Sequence, residues 1–368
     1  MQQNINPFLL SGYISEEYFC DREQETAKVI SALNNGRNIT LISPRRMGKT
    51  GLIRHVFNRI QQESDVVCYY VDLYQTRNLS ELIQKLGSTI LGSLDTTQEK
   101  VRKGVMTSFK SLRPVIAMDA MTGDPSFSID LKQEYTETSL KEIFAYMEQS
   151  GKQCVVAFDE FQTVTEYEES NIEAMLRSYI QHLSNVRFIF SGSQRHVIQN
   201  MFHDARRPFY QSTQTIPLGP INEEAYYHFA NGKMPISNGV FSMIYSMLYG
   251  HTWYIQSVLN RIYEKGLRDV TADDVRDILD EIVSENEPTF HTFMRLITPA
   301  QRKLLQAVAH EGRAVEILGQ SFIQKYHLSA PSTIKSAVAT LVEKELLLDD
   351  SESYQVYDRF FALWLQRL

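Results

Sequence analysis

Asn38-Ile-Thr-Leu-Ile-Ser-Pro-Arg-Arg-Met-Gly-Lys-Thr50 is the stretch that decides the fold. Its first part, through Ile42, is a short apolar, β-branched run of the kind that forms a buried strand. The remainder, Ser43 to Thr50, departs from the phosphate-binding pattern GxxxxGK[ST] only at the first position, where Ser stands for Gly. From Thr50 to Gln62, Leu52, Ile53, Val56, Phe57 and Ile60 then fall on one helical face. Strand, loop and amphipathic helix in this order are the context the pattern requires. Backbone N–H groups of the loop and the helix N-terminus can face phosphate oxygens, and Gly48 lets the backbone approach them without a Cβ. Lys49 can bridge the β- and γ-phosphates of a nucleoside triphosphate as a point charge, while Thr50 offers its hydroxyl to Mg²⁺. Ser43, Pro44, Arg45, Arg46, Met47, Gly48, Lys49, Thr50 and Gly51 are therefore expected to hold the nucleotide, ATP. A positive φ at Ser43 would cost about 1 kcal/mol relative to Gly.

Outward from this core, Val66 to Leu73, Cys154 to Phe158 and Val186 to Phe190 are nearly continuous apolar runs, as in strands buried on both faces of a parallel sheet. Helical stretches near 79–93, 136–150 and 171–184 separate them, which predicts a doubly wound α/β sheet. Val115 to Leu131 interrupts the alternation with two runs around Thr122-Gly-Asp-Pro125, a hairpin insertion. The sequence from Asn222 to Glu285 contains only helical patterns, and a small helical lid domain is expected there. From Thr298 onward, three helices (Pro299 to His310, Gln320 to Tyr326, Pro331 to Lys344) and a hairpin around Asp349 to Ser353 predict a winged helix-turn-helix. The expected domains are 1–220, 221–295 and 296–368.

The end of the Cys154 strand carries Asp159-Glu160, and open α/β sheets bind ligands at the carboxyl ends of their strands. Asp159 is expected to serve the Mg²⁺, and Glu160 to orient and deprotonate the attacking water. The neighbouring strand ends in Ser191-Gly-Ser-Gln-Arg195, where Ser193 or Gln194 can reach the γ-phosphate or the water. Arg195, Arg206 and Arg207 are candidates for an arginine that neutralises transition-state charge. Catalytic weight thus falls on Lys49, Glu160, Ser193 and Arg207.

Composition narrows the possibilities further. A chain of 368 residues with 43% apolar content can bury more than one core, and a net charge of −7 argues against a protein that coats nucleic acid through its overall field. Cys20, Cys68 and Cys154 are odd in number and scattered, which fits reduced thiols. The N-terminus lacks the pattern of a signal peptide, and no apolar run reaches membrane-spanning length, so a cytoplasmic location without membrane association is expected. Leu296 to Leu368 holds eight Lys plus Arg and eight Asp plus Glu, a zero balance that disfavours phosphate-backbone binding by the winged helix.

Several segments together resemble one known group. They are Tyr18-Phe-Cys-Asp-Arg-Glu23, Ser43 to Thr50, Phe158-Asp-Glu-Phe-Gln162, Phe190-Ser-Gly-Ser193, Arg207-Pro-Phe-Tyr210, Gly250-His-Thr-Trp-Tyr-Ile-Gln256 and Asp358-Arg-Phe-Phe-Ala-Leu-Trp364. The chain resembles AAA+-like P-loop ATPases of the STAND lineage, the archaeal-type ATPases also widespread in Bacteroidetes. That resemblance implies that Phe19 and Arg22 lie against the adenine and that His251 is a lid residue contacting the nucleotide. The family usually has Pro after Gly-His, where this chain has Thr252. It also implies an ATP-hydrolysing switch whose nucleotide state, ATP or ADP, sets domain arrangement, assembly into homo-oligomers or binding of a protein partner. The alternative is an ATP-dependent DNA-binding protein that uses the winged helix.

Overall fold

Alternating buried runs and amphipathic helices build a five-stranded parallel sheet. The protein is described as a computed structural model covering residues 5–93, 112–118, 125–131, 136–350 and 353–368. In chain order its strands are β1 (Ile39–Ile42), β2 (Val67–Asp72), β3 (Leu112–Met118), β4 (Pro125–Leu131), β5 (Cys154–Asp159), β6 (Val186–Gly192) and β7 (Gln214–Pro217). The sheet order is β2-β5-β6-β1-β7, and β3 and β4 pair with each other, antiparallel, as a separate two-stranded sheet among the described residues. This pair is the expected hairpin; its Thr122-Gly-Asp turn lies outside the described residues.

Side-chain alternation along the central strands explains why both faces are covered. Val155 and Ala157 of β5 enter one core with Leu52, Ile53 and Val56 of the helix Lys49–Glu63. Val156 and Phe158 enter the opposite core with Leu82 and Leu86 of the helix Leu79–Ser93 and Phe144 of the helix Thr136–Gln149. A strand buried on both sides has no polar face to show, hence its unbroken apolar run. The helix expected at 171–184 spans only Ile172–Ile180, ending in a turn where the Gln181 N–H bonds the Arg177 carbonyl. Strand β7 was not expected. It is a four-residue edge strand with polar Gln214 and Thr215, so it lacks an apolar run, and its terminal Pro217 is tolerated where a partner strand is missing on one side.

Residues Ser11–Ile221 form one compact unit, and Asn222–Leu368 with the N-terminal segment ending at Leu10 form a second. Within the second unit, Asn260 Nδ2 donates to the Phe8 carbonyl at 2.8 Å and Phe8 packs edge-on against Phe229 and Tyr263. Helices Glu223–Lys233, Asn238–Met247, Thr252–Glu264 and Ala272–Arg295 are followed by Pro299–Glu311, Gln320–Lys325 and Pro331–Glu343, the wing strands β8 (Leu347–Asp349) and β9 (Tyr354–Val356), and the helix Arg359–Leu365. Three helices and this pair form a winged helix; the wing-tip residues 351–352 lie outside the described residues.

The helical pattern was expected to stop at Glu285, but the helix that begins at Ala272 continues to Arg295 with Pro288 inside it. An interior proline removes one helical hydrogen bond and costs about 3 kcal/mol. Packing offsets it, because Phe290 and Phe293 lie 5.2 and 5.5 Å from the Phe361 ring and Phe290 lies 5.9 Å from Trp364. Among the described residues no helix is long and apolar enough to cross a membrane, and all three cysteines are free.

Candidate phosphate and hydrolysis site

Strand order brings the motif ends together. Ile42 of β1 is in register with Gly192 of β6, and Phe158 of β5 with Phe190 of β6. The loop after β1, the acidic pair after β5 and the serines ending β6 therefore share one edge of the sheet, the carboxyl edge where open α/β folds bind ligands.

Within the loop, Gly48 has φ +90° and Arg46 φ +65°, so two left-handed residues turn the chain into the helix Lys49–Glu63. Ser43 is not among the positive-φ residues, and it therefore carries no penalty in the position where the pattern has Gly. Its buried side chain has work of its own: Lys49 Nζ donates to Ser43 Oγ at 3.2 Å, to the Ser43 carbonyl at 3.0 Å and to the Pro44 carbonyl at 3.1 Å. Burial lowers the Lys49 pKa to about 8, against the opposing pull of Glu160 and Asp159.

Asp159 is fully engaged. Its Oδ2 accepts from Thr50 Oγ1 at 2.8 Å and from the Tyr70 hydroxyl at 2.5 Å, and its Oδ1 accepts from Ser191 Oγ and from the Glu160 N–H at 3.1 Å. Burial and the facing carboxylate push the Tyr70 phenol far up, so Tyr70 stays a donor. Arg54 lies over the Tyr70 ring, 3.9 Å from its centroid. The sequence reading did not include Tyr70 and Ser191. Period-two alternation could have found Ser191, which shares a strand face with Ser193; nothing in the apolar run of β2 marked Tyr70.

Glu160 follows in the left-handed region, φ +54°. Its Oε2 accepts from Gln162 Nε2 at 2.5 Å, from Ser193 Oγ at 2.8 Å and from the Ser193 N–H at 3.2 Å. Ser193 Oγ in turn accepts from Arg45 Nε at 3.0 Å, which ties the phosphate loop to the acidic pair. Among the described residues no hydrogen bond reaches Glu160 Oε1. Of the two polar residues singled out after β6, Ser193 is buried in this network, whereas Gln194 precedes the helix Arg195–His203 and lines a neighbouring cleft. That cleft, of about 750 Å³, is open to solvent and is also lined by Arg45, Thr76, Arg77, Gln162 and Glu166.

The remaining candidates divide. Phe19 stacks on His55 with centroids 4.3 Å apart, and a Cβ added to Gly51 would sit 3.4 Å from the Phe19 ring. Arg22, buried and itself in the left-handed region, donates to the Met47 carbonyl at 3.0 Å and pairs with Glu25 at 2.9 Å. Both therefore lie against the loop and its helix. Arg207 is engaged at 2.5 Å with Glu173, and Arg206, 88% exposed, pairs with Asp204, so neither arginine bonds the loop. His251 belongs to the second compact unit. It is buried, packs 5.8 Å from the Tyr254 ring, and is held neutral, its pKa lowered to about 3 by burial and by Arg359 and Arg313.

For Mg²⁺, a hydroxyl and a carboxylate only 2.8 Å apart at the head of the helix fit a hard cation that keeps most of its ligands as water and phosphate oxygen. No cluster of three or more His, Cys, Asp or Glu is present among the described residues.

Residues 19–258 match the family model described as an ATPase domain predominantly from Archaea, and residues 288–367 match that of a probable winged helix domain. The chain is 20% identical over 385 residues to an uncharacterised ATP-binding protein of Methanocaldococcus jannaschii, with 94% of this chain and 97% of that protein covered. It is similar in structure to the Walker-type ATPase of Pyrococcus abyssi, with a TM-score of 0.66 at 18% identity, covering 98% of this chain and 100% of that one. It is also similar to the ORC2 protein of Aeropyrum pernix in complexes with ADPNP and ADP, with a TM-score of 0.58 at 15% identity and coverages of 99% and 96%. At these identities the two structures speak for the fold.

Proposed function

The chain belongs to this family of ATPase domains, and from that premise we propose that it binds ATP with Mg²⁺ and hydrolyses it slowly as a molecular switch. In this reading the loop N–H groups and Lys49 hold the β- and γ-phosphates, Thr50 and Asp159 serve the metal, and Phe19 and Arg22 border the base. Bound Mg²⁺ would neutralise charge on the phosphate oxygens. Glu160 acts as general base. The water oxygen attacks the γ-phosphorus, the bond from that phosphorus to the bridging oxygen breaks, ADP leaves with the electron pair, and Glu160 receives the water proton.

The observation that carries the reading is the asymmetry of the Glu160 carboxylate. Three donors fix Oε2 and none among the described residues occupies Oε1. A carboxylate held by one oxygen keeps the other as an acceptor in a defined direction, as a base acting on water needs.

His251, a neutral imidazole, would act on the nucleotide as a hydrogen-bond partner rather than as a cation. Its place in the second unit supports a switch in which nucleotide alters the arrangement of the helical and winged-helix parts. The winged helix keeps DNA as the alternative partner, and the balanced charge of residues 296–368 favours a protein partner or a second copy of the chain.

Glu160→Gln tests the reading. The variant is expected to bind ATP·Mg²⁺ as the wild type does and to lose turnover by about 10²–10⁴. Held with ATP, it should then resist proteolysis at Pro217 to Pro220. Wild-type turnover in Glu160→Gln, followed by phosphate release, would remove the base from this position; an ATP-indifferent digestion pattern would remove the switch.

A further inference from the structure

Two of the motifs that define the resemblance, Phe158-Asp-Glu-Phe-Gln162 and Phe190-Ser-Gly-Ser193, are about thirty residues apart in sequence and meet at a single contact. Gln162 sits on the 3₁₀ turn Phe161–Glu166, directly after Glu160 in its left-handed conformation. That backbone turn folds the chain back, so that the side chain of residue 162 returns to the carboxylate of residue 160. Its Nε2 donates to Glu160 Oε2 at 2.5 Å, the shortest of the three bonds that reach this oxygen. The side chain is 4% exposed, too deep for thermal reorientation without a space to turn in.

The other end of the amide explains Gly192. Gln162 Oε1 lies 2.1 Å from where a Cβ of residue 192 would be, and Ile198 Cγ1 and Cδ1 lie 2.6 and 2.7 Å from the same point. Gly192 is not in the positive-φ region, so the backbone there would accept any residue. What it does not accept is volume. The notch left by the missing side chain is filled by the Gln162 carbonyl oxygen, which is buried and has no hydrogen-bond partner among the described residues. An unpaired buried carbonyl costs about 1–3 kcal/mol, and turning the amide over would point that oxygen at a carboxylate, which is worse. The arrangement therefore gives up a hydrogen bond at one end to fix a charge-assisted one at the other.

We propose that Gln162 is the positioning residue of the hydrolytic carboxylate, held in register by the space at Gly192, so that Glu160 presents Oε1 to water. The proposal rests on the reading of Glu160 as the base. Phe161 does not share the role. It packs into the aromatic core, 4.6 Å from Phe190 and 5.4 Å from Phe209, and so anchors the turn from which Gln162 reaches back. Ser193 supplies the other two donors, but Arg45 of the phosphate loop bonds its hydroxyl; Gln162 is the donor to Glu160 from the same turn.

The test compares turnover and ATP affinity in Gln162→Met, Gln162→Ala and Glu160→Gln of the full chain. Methionine fills the volume of glutamine and donates nothing, so a packing role and a positioning role diverge in it. Positioning predicts that Gln162→Met and Gln162→Ala fall alike in kcat, by roughly ten- to a hundredfold, the worth of one hydrogen bond to a charged group. ATP affinity should stay within about twofold, since the loop is untouched. Wild-type turnover in Gln162→Met beside a slow Gln162→Ala would overturn the proposal in favour of packing. Loss of ATP binding together with turnover in both would also overturn it, making the residue structural. Glu160→Gln is the reference arm: if it hydrolyses normally, the base assignment itself fails, whatever Gln162 does.

Discussion

Lys49 and Arg359 are buried cations, one in each unit of this protein, and their surroundings are opposite. Lys49 is 6% exposed and faces Glu160 and Asp159, yet its hydrogen bonds go to the Ser43 and Pro44 carbonyls and the Ser43 hydroxyl. Arg359 is 2% exposed and pairs with no carboxylate among the described residues. It donates to Gln355 Oε1 and to the Val356 carbonyl, both at 2.9 Å, and lies 4.5 Å from the Tyr249 ring centroid, with Arg313 5.4 Å from the same ring. Lysine is a point charge on a flexible stem whose partners can be exchanged, and arginine a fork fixed by its geometry. The first environment suits a cation that transfers from loop carbonyls to phosphate oxygens. The second suits one that stays, tying Tyr249 to Gln355 and Val356 of β9; the adjoining segments also meet through the Tyr254 and Phe360 rings, edge-on at 4.9 Å.

The sharpest break in this comparison is Arg359→Ala. It leaves Gln355 Oε1 and the Val356 carbonyl buried and unpaired, at about 1–3 kcal/mol each, and removes the stack on Tyr249. Urea denaturation is expected to show this loss while ATP affinity, measured by calorimetry on the folded protein, is unchanged. A variant as stable as the wild type would mean that Arg359 holds nothing together.

How far each region was legible in sequence follows from the same contrast. The phosphate site depends on a local pattern: eight consecutive residues of the loop, and an acidic pair ending a buried strand. Its parts could be named because backbone geometry and phosphate chemistry demand those residue types at that spacing. Tyr70 escaped because a tyrosine inside an apolar run reads as core, and Gln162 was quoted only as part of a motif because its partner, the notch at Gly192, exists only in three dimensions. In the second unit the helices and wing were legible from their periodicity. The continuation of a helix through Pro288 was not, since packing of Phe290 and Phe293 on Phe361 and Trp364 decides it against the local signal. Likewise nothing local marks Arg359 as buried.

The next effect in size is on ligand rather than fold. Lys49→Ala removes the loop's buried lysine and one charge-assisted contact, about 1.5–3 kcal/mol and hence at least tenfold in ATP affinity. Calorimetric titration with ATP·Mg²⁺ checks it, and unchanged affinity would show that Lys49 is as static as Arg359.

The smallest effect is the most specific, because it reads the proton on Lys49. Burial lowers the free-state pKa from the usual 10.5 to about 8, so above pH 8 the folded protein without nucleotide holds this lysine increasingly neutral. An unfolded chain keeps the proton up to 10.5. Between these values the unfolded state binds more protons, and stability therefore rises with pH in that window, the reverse of what a lysine gaining an ion pair would give. Phosphate binding favours the charged form and pulls in the opposite direction: ATP must bring a proton onto Lys49. Affinity should thus fall by up to about tenfold per pH unit above pH 8, until the raised pKa of the complex is reached. Calorimetry at pH 9 in two buffers of different ionisation enthalpy measures the proton directly. Uptake approaching one proton per ATP in the wild type, absent in Lys49→Ala, is the expected result. Equal heats in the two buffers would mean that Lys49 keeps its charge throughout and that its carbonyl contacts, like those of Arg359, are permanent.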